Sequence, residues 1–177
     1  MARARLIAGE VTHIDSDQQL LHLRDGRPPL PYDVCSVNVG ISPDKPARYV
    51  TPVKPIATFA VKWDALLSRL DDDSSFRLVV VGGGAGGVEL ILAMVARVSA
   101  ELRRRGRSLT CLSATLVARS SELLQGHAPK VRKLLTEAVR RKGIRVLLSH
   151  EAIETSSDKG EKILKCRHEG RTVSVPF

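Results

Sequence analysis

The feature that most constrains this chain is the segment RLVVVGGGAGGVEL, residues 77–90, where an apolar run leads directly into glycines. The run FRLVVVG, residues 76–82, is continuously apolar after Arg77, as expected of a strand buried on both faces of a sheet. Residues 86–106 then place apolar side chains at helical spacing on one face: Val88, Leu92, Val95, Val98 and Leu102. The segment predicts a buried strand, a tight glycine turn and an amphipathic helix.

The glycines follow the spacing Gly82-x-Gly84-x-x-Gly87, with an additional glycine at Gly83. Gly82 allows a tight turn out of the strand, Gly84 lets the backbone approach a pyrophosphate, and Gly87 lets the helix pack closely on the sheet. The free amides at the helix start would hold the phosphate charge. The alternative is a glycine-rich turn without a ligand, but so many glycines cost backbone entropy that a plain turn does not require. We therefore predict a dinucleotide site.

The remainder of the chain continues the alternation of strand and helix. Residues 112–118 and 144–149 predict strands, and residues 128–143 predict a helix with Pro129 near its first turn and Gly143 just past its end. Residues 151–177 predict short strands joined by polar turns. This order predicts an α/β fold with a Rossmann-like, doubly wound parallel sheet and right-handed crossovers.

The N-terminal part differs in composition. Segments 5–15, 18–26 and 33–40 predict strands, and residues 24–33 predict a loop. Residues 41–57 contain four prolines, which predict a stiff irregular connector. A short helix is expected over residues 57–70. It ends at the sequence DDDSS, residues 71–75, where we expect a domain boundary.

The end of the second strand of the α/β part bears on the choice of nucleotide. An acidic residue that accepts hydrogen bonds from a ribose 2′-hydroxyl is expected there, but the sequence has Ala118, Arg119, Ser120 and Ser121. Arginine with hydroxyl groups suits a 2′-phosphate better, which favours NADPH over NADH. In the alternative interpretation, Arg119 is a surface arginine and Glu122 serves the ribose.

The net charge of +9 does not by itself predict a nucleic-acid partner. The basic clusters at residues 103–107 and 139–145 fall where helices should end, and cations there complement the helix dipole. Aromatic residues make up only 3% of the chain and do not interleave with these clusters, so there is no stacking platform for single strands. We interpret both clusters as solvated helix ends and expect no nucleic-acid binding.

Cysteine and histidine residues predict neither a metal site nor a nucleophile with its base. The three cysteines are far apart without metal-ligand spacing, so buried free thiols in a reducing, intracellular compartment are expected: Cys35, Cys111 and Cys166. The histidines are scattered and are expected on the surface or half-buried: His13, His22, His127, His150 and His168. No secretory signal or membrane span is predicted.

Three segments carry a resemblance to a known family. Residues 79–90, VVVGGGAGGVEL, resemble the NAD(P)H-site motif of the pyridine nucleotide-disulfide oxidoreductase superfamily, in which a glutamate follows the third glycine by two, as Glu89 does. Residues 21–40 resemble the end of that family's FAD domain, with Asn38-Val39-Gly40 in place of an Ala-Thr-Gly turn. Residues 123–147 resemble the next stretch of the nucleotide domain. The branch most similar is the type II NADH dehydrogenase-like group, including flavoprotein modules joined to selenide, water dikinase.

The resemblance implies an FAD-dependent NAD(P)H oxidoreductase that passes a hydride from nicotinamide C4 to flavin N5, and electrons onward to a quinone or another acceptor. It places Glu89, in the first helical turn, on the nicotinamide side and Gly40 near the flavin pyrophosphate. The alternatives are a carboxylate favoured by the helix dipole for Glu89 and a plain strand-end turn for Gly40.

The same resemblance implies that the chain corresponds to the middle of such an enzyme. Residues 1–60 would be the tail of an FAD domain, residues 61–75 a linker helix, and residues 76–177 an incomplete NAD(P)-binding domain. The family's FAD glycine motif, later Gly-Asp motif and interface domain have no counterpart here, so any peripheral membrane contact would come through those parts. A truncated NAD(P)-binding module without catalytic activity is the first alternative, and a fragment that binds nothing is the second.

Overall fold

A computed structural model describes residues 4–38, 48–68, 70, 75–158 and 160–177. The chain divides into two compact units, Met1–Ile41 and Ser42–Phe177. The first unit is a small antiparallel sheet, and the second contains the α/β part together with a second antiparallel sheet.

The first unit consists of β1 (Val11–Asp15), β2 (Leu20–Leu23) and β3 (Leu30–Pro31), in that order across the sheet. The turn between β1 and β2 forms because the Asp15 carboxylate accepts hydrogen bonds from the backbone N–H groups of Asp17 and Gln18 at 3.0 and 2.8 Å. The predicted strands are therefore present but shorter. β3 lies inside the segment for which we predicted only a loop.

The strand predicted over residues 33–40 is wrong for the part that the structure describes. Residues 33–38 are not in a strand, and residues 39 and 40 lie outside the described residues. Val34 is 90% exposed and Val37 is 60% exposed. An apolar run forms a buried strand only when another strand pairs with it, and no strand in the described ranges pairs with residues 33–38.

The second unit contains the predicted strand–helix alternation. Its elements are α1 (Ile56–Ser68), β4 (Phe76–Val81), α2 (Ala85–Arg104), a 3-10 turn (Leu109–Cys111), β5 (Leu112–Val117), α3 (Pro129–Arg141) and β6 (Arg145–Leu147). Strands β4, β5 and β6 form a parallel sheet in that order, which confirms the predicted fold class. Val81 pairs with Val117, and Val117 pairs with Leu147. The three strands therefore end at one edge, where parallel α/β sheets bind ligands.

Helix α2 covers the sheet with its apolar face. Its buried apolar residues contact a core built mainly from the alternate residues of β4 and β5 that face the helix: Val88, Ile91, Met94, Val95, Leu78, Val80, Ala114 and Leu116. Leu92, which the helical pattern placed on the buried face, is only partly buried, and Ile91 takes its place.

The cluster RRRGR at the end of α2 connects that helix to α1. The Arg105 guanidinium donates to the carbonyl oxygen of Leu67 at 3.5 Å, and Arg107 donates to the carbonyl oxygen of Leu70. Arg104 and Arg105 both bind the carboxylate of the buried Glu101, at 2.6 and 2.8 Å. Arg105 and Arg107 therefore tie the end of α2 to Leu67 and Leu70, so the interpretation of the cluster as a solvated helix end is wrong for these two. It is confirmed for Arg103 and Arg104, which are exposed in the last turn of α2.

Residues 151–177 form strands joined by turns, as predicted: β7 (Glu151–Asp158), β8 (Glu161–His168) and β9 (Arg171–Pro176). These strands pair as an antiparallel sheet. Leu164, Cys166 and Val175 of this sheet pack with Val117 of the parallel sheet. Cys166 is buried as expected, whereas Cys35 and Cys111 are only partly buried; all three are free. Among the described residues, no helix is long and apolar enough to cross a membrane, and no cluster of metal-ligating side chains occurs.

Candidate nucleotide-binding site

Gly82 makes the turn out of β4. Its backbone N–H donates to the carbonyl oxygen of Val117 at 2.8 Å, which extends the pairing of β4 and β5 by one residue. Its φ angle is +129°, a region that side chains with a β-carbon rarely adopt. The sequence-based role of Gly82 as the turn residue is therefore consistent with its backbone geometry.

Two further glycines are required by close packing. A β-carbon on Gly87 would lie 2.0 Å from the carbonyl oxygen of Gly82, and a β-carbon on Gly83 would lie 2.6 Å from the β-carbon of Ala118. The Gly83 carbonyl also accepts a hydrogen bond from the N–H of Leu124 at 2.8 Å. These contacts hold the first turn of α2 against the ends of β4 and β5.

Packing does not require Gly84. It precedes the first residue of α2 with φ −78° and ψ 179°, and no atom lies within 4 Å of a β-carbon built on it. The first turn of α2, residues 85–88, contains no acidic residue, and Gly84 has no side chain to bind the helix amides. The N-terminal amides of α2 therefore have no side-chain cap, an arrangement that favours an anion such as a phosphate.

The glycine turn opens onto a cleft of about 510 Å³, a size typical of small-molecule sites. The cleft brings together the predicted residues Gly82, Gly83, Gly84 and Arg119, together with Ser120. Gly87 lies behind the turn rather than in the cleft. Gly40 lies outside the described residues, so its predicted approach to flavin stays a prediction.

Glu89 does not occupy the position that the sequence suggested. Helix α2 begins at Ala85, so Glu89 is its fifth residue, beyond the first turn. The explanation of this carboxylate by a first-turn dipole interaction is therefore wrong, because that interaction fades beyond the first turn. Glu89 is exposed and is not among the residues that line the cleft. Its role beside a nicotinamide stays a prediction.

The residues that follow β5 bring a basic side chain to the cleft. Arg119 is exposed and lines the cleft, and the Ser120 hydroxyl donates to the carbonyl oxygen of Glu122 at 2.6 Å. Glu122 is paired with Arg132 of α3 and lines a separate groove beside that helix. The structure therefore does not support the alternative in which Glu122 serves the ribose.

Sequence reasoning missed the other wall of the cleft, which consists of Gln125, His150, Glu151 and Ala152. The N–H of His150 donates to the carbonyl oxygen of Ala118 at 2.9 Å, so this wall is attached directly to the end of β5. His150 is half-buried, as expected, and its ring stacks on His168 with centroids 4.1 Å apart. The available signal was that residues 150–152 follow the third parallel strand, whose end lies at the same sheet edge.

Three comparisons bear on this geometry. A profile of the pyridine nucleotide-disulphide oxidoreductase family matches residues 3–175. Ferroptosis suppressor protein 1 from Taeniopygia guttata is 29% identical over 143 residues, which cover 81% of this chain and 35% of that protein. The crystal structure of the ferredoxin reductase for the CYP199A2 system from Rhodopseudomonas palustris is similar with a TM-score of 0.61 at 15% identity, over 94% of this chain and 38% of the reductase. That structural likeness shows the fold. The chain spans little more than a third of the length of either relative.

Proposed function

Since the chain belongs to the pyridine nucleotide-disulphide oxidoreductase family, we propose that it forms the nicotinamide-dinucleotide-binding part of a flavin-dependent NAD(P)H oxidoreductase. One observation carries the proposal. Gly87 and Gly82 are in backbone contact, while Gly82, Gly83 and Gly84 line the cleft of about 510 Å³ directly before α2. This combination supports a diphosphate held by main-chain amides at this turn, where no side chain intervenes.

The residues present fit a dinucleotide in two ways. The backbone after β4 is free of β-carbons at Gly82, Gly83 and Gly84, so main-chain N–H groups would hold the pyrophosphate. Arg119 and Ser120 follow the neighbouring strand β5 in the same cleft and would contact the adenosine ribose. Arginine supplies a charge-assisted hydrogen bond to a 2′-phosphate, so NADPH is the preferred nucleotide in this proposal.

Bound nicotinamide supplies the hydride in such an enzyme, and a bound flavin accepts it before a quinone or another acceptor is reduced. This chain's contribution is to bind the nucleotide and to orient it. Flavin binding is assigned to no described residue. The acceptor, the flavin site and the type II NADH dehydrogenase-like branch are proposals about a whole protein. The relatives are more than twice as long as this chain.

The experiment is thermal unfolding of the purified chain in the presence of NADPH, in the presence of NADH and without nucleotide. It is combined with a test for flavin released on denaturation. We expect no bound flavin and a weak but saturable rise in Tm with nucleotide, because a ligand that binds only the folded state stabilises it by mass action. A Tm unchanged at millimolar NADPH and NADH would contradict the proposal and favour a fragment that binds nothing. Tight stoichiometric flavin would contradict the expectation that this chain by itself holds no flavin.

The alternative function is an NAD(P)-binding module without catalytic activity. It shares the cleft and the nucleotide but differs in the electron transfer. The two functions are separated by an assay of NAD(P)H oxidation in a longer protein that contains this segment, with added FAD and an artificial electron acceptor. Only the oxidoreductase proposal expects NAD(P)H to be oxidised.

A further inference from the structure

The cleft wall that follows β6 contains an acidic side chain. Glu151, the first residue of β7, lines the same cleft as Arg119. Two backbone hydrogen bonds hold the start of β7 near the end of β5: Ser149 N–H to the Ser120 carbonyl and His150 N–H to the Ala118 carbonyl, both at 2.9 Å. Glu151, whose carboxylate repels a phosphate, and Arg119, whose guanidinium attracts one, therefore line the same cleft.

Glu151 has a partner on the neighbouring strand. Arg167 of β8 is its cross-strand pair, and the Arg167 Nη1 atom donates to Glu151 Oε2 at 3.2 Å. Arg167 is not among the residues that line the cleft, so it acts on a ligand there only through Glu151. The two side chains are 60% and 45% exposed, so water and salt weaken the pair without removing it.

A second contact between β8 and the start of β7 lies beside this pair. The neighbouring residues His150 and His168 stack with ring planes 8° apart. The His150 Nδ1 atom lies 2.6 Å from the Leu148 carbonyl oxygen, and the His168 Nδ1 atom lies 3.0 Å from the Ser149 carbonyl oxygen. The stack and the ion pair occur at consecutive positions, so together they hold the start of β7 against β8.

We propose that the Glu151–Arg167 ion pair sets the choice between the 2′-hydroxyl and 2′-phosphate forms of the dinucleotide, with Arg167 as a positioning residue. This inference rests on the proposed function. While Arg167 is present, the charge of Glu151 is compensated, and Arg119 meets a 2′-phosphate without an opposing carboxylate. Without Arg167 the negative charge of the carboxylate is uncompensated and both of its oxygens are free to accept hydrogen bonds, which favours a ribose diol and repels a phosphate.

The experiment is isothermal titration of NADPH and NADH into the unaltered chain, Arg167→Gln, Glu151→Gln and the double variant. We expect Arg167→Gln to lower the affinity for NADPH about threefold while NADH binding holds or rises, a size appropriate to an exposed ion pair. Glu151→Gln should bind NADPH at least as well as the unaltered chain. The double variant should match Glu151→Gln, because the effect of Arg167 runs through that carboxylate.

A matched control exists on the same two strands. Lys165 Nζ lies 2.5 Å from Glu154 Oε1, and this cross-strand pair does not line the cleft. Lys165→Gln should leave the ratio of the NADPH and NADH affinities unchanged. The inference is overturned if Arg167→Gln leaves the ratio of the NADPH and NADH affinities unchanged, including by altering both affinities equally. It is also overturned if Arg167→Gln has the same effect on these affinities when residue 151 is already Gln. If neither nucleotide binds the unaltered chain, the proposed function itself fails and this inference fails with it.

Discussion

The carbonyl oxygen of Gly82 lies only 2.0 Å from where a β-carbon on Gly87 would be, so the start of α2 rests directly on the turn that leaves β4. The obstructing atom belongs to the backbone and cannot rotate away. The contact explains why a glycine is needed five residues after the turn, and it holds the start of α2 close to Gly82, which lines the cleft.

We predict that Gly87→Ala destabilises the fold and weakens nucleotide binding. The added methyl group forces the helix away from the turn, at a cost of about 1–3 kcal/mol typical of overpacking. Urea unfolding measures the change. The matched control is Gly86→Ala, because a β-carbon there meets no atom within 4 Å and alanine stabilises a helix by roughly 0.5–1 kcal/mol over glycine. Equal stability of the two variants would contradict the close contact.

The Glu101 carboxylate predicts a pH dependence of stability. Hydrogen bonds from Arg104 and Arg105 lower the pKa of Glu101 from its ordinary 4.5 to about 2. A group with a lowered pKa stabilises the fold above its unfolded pKa, and this contribution is lost as the pH falls from about 4.5 towards about 2. Urea midpoints measured from neutral pH to acid should therefore fall more steeply for the unaltered chain than for Glu101→Gln. A control at the exposed Glu137 should keep the steep profile; identical profiles for all three proteins would refute the role of Glu101.

Arg119→Gln should discriminate between the two nucleotides. The loss of a charge-assisted hydrogen bond costs about 1.5–3 kcal/mol, so we expect NADPH affinity to fall by about tenfold or more while NADH affinity changes little. Titration calorimetry with both nucleotides measures the ratio. Arg97→Gln on the exposed side of α2 serves as the control for a lost positive charge. An unchanged preference in Arg119→Gln would move the 2′-phosphate contact to another residue.

Cysteine reactivity should follow burial. Cys166 lies in the core shared by the two sheets, and burial raises the pKa of its thiol, so little thiolate forms. Cys35 and Cys111 are only partly buried. A thiol reagent at neutral pH should label Cys35 and Cys111 first and Cys166 only on unfolding, as mass spectrometry of labelled peptides can establish. Early labelling of Cys166 would show that the β7–β9 sheet does not cover it.

The sequence predicted the α/β part well because its signals are local. An apolar run, a glycine turn and helical periodicity are contained within residues 76–106, and Pro129 and Gly143 mark the ends of α3. The parallel order of β4, β5 and β6 then follows from the handedness of the crossovers.

What the sequence did not predict depends on contacts distant along the chain. Val34 and Val37 look like strand residues, but a strand needs a partner, which the described residues do not provide. His150 and Glu151 belong to the cleft only because β7 begins beside the end of β5. The position of Glu89 relative to the first turn depends on whether α2 begins at Ala85 or one residue later, which periodicity alone does not resolve.

The measurement that tests the central claim most directly is the affinity of NADPH for Gly84→Leu compared with Gly86→Leu. Both glycines have open space around a β-carbon, so both variants should fold, but only Gly84 lines the cleft. We predict that Gly84→Leu loses NADPH binding in calorimetry, whereas Gly86→Leu binds like the unaltered chain. Unchanged NADPH affinity in a folded Gly84→Leu variant would contradict the account, because it would mean that no diphosphate approaches this backbone.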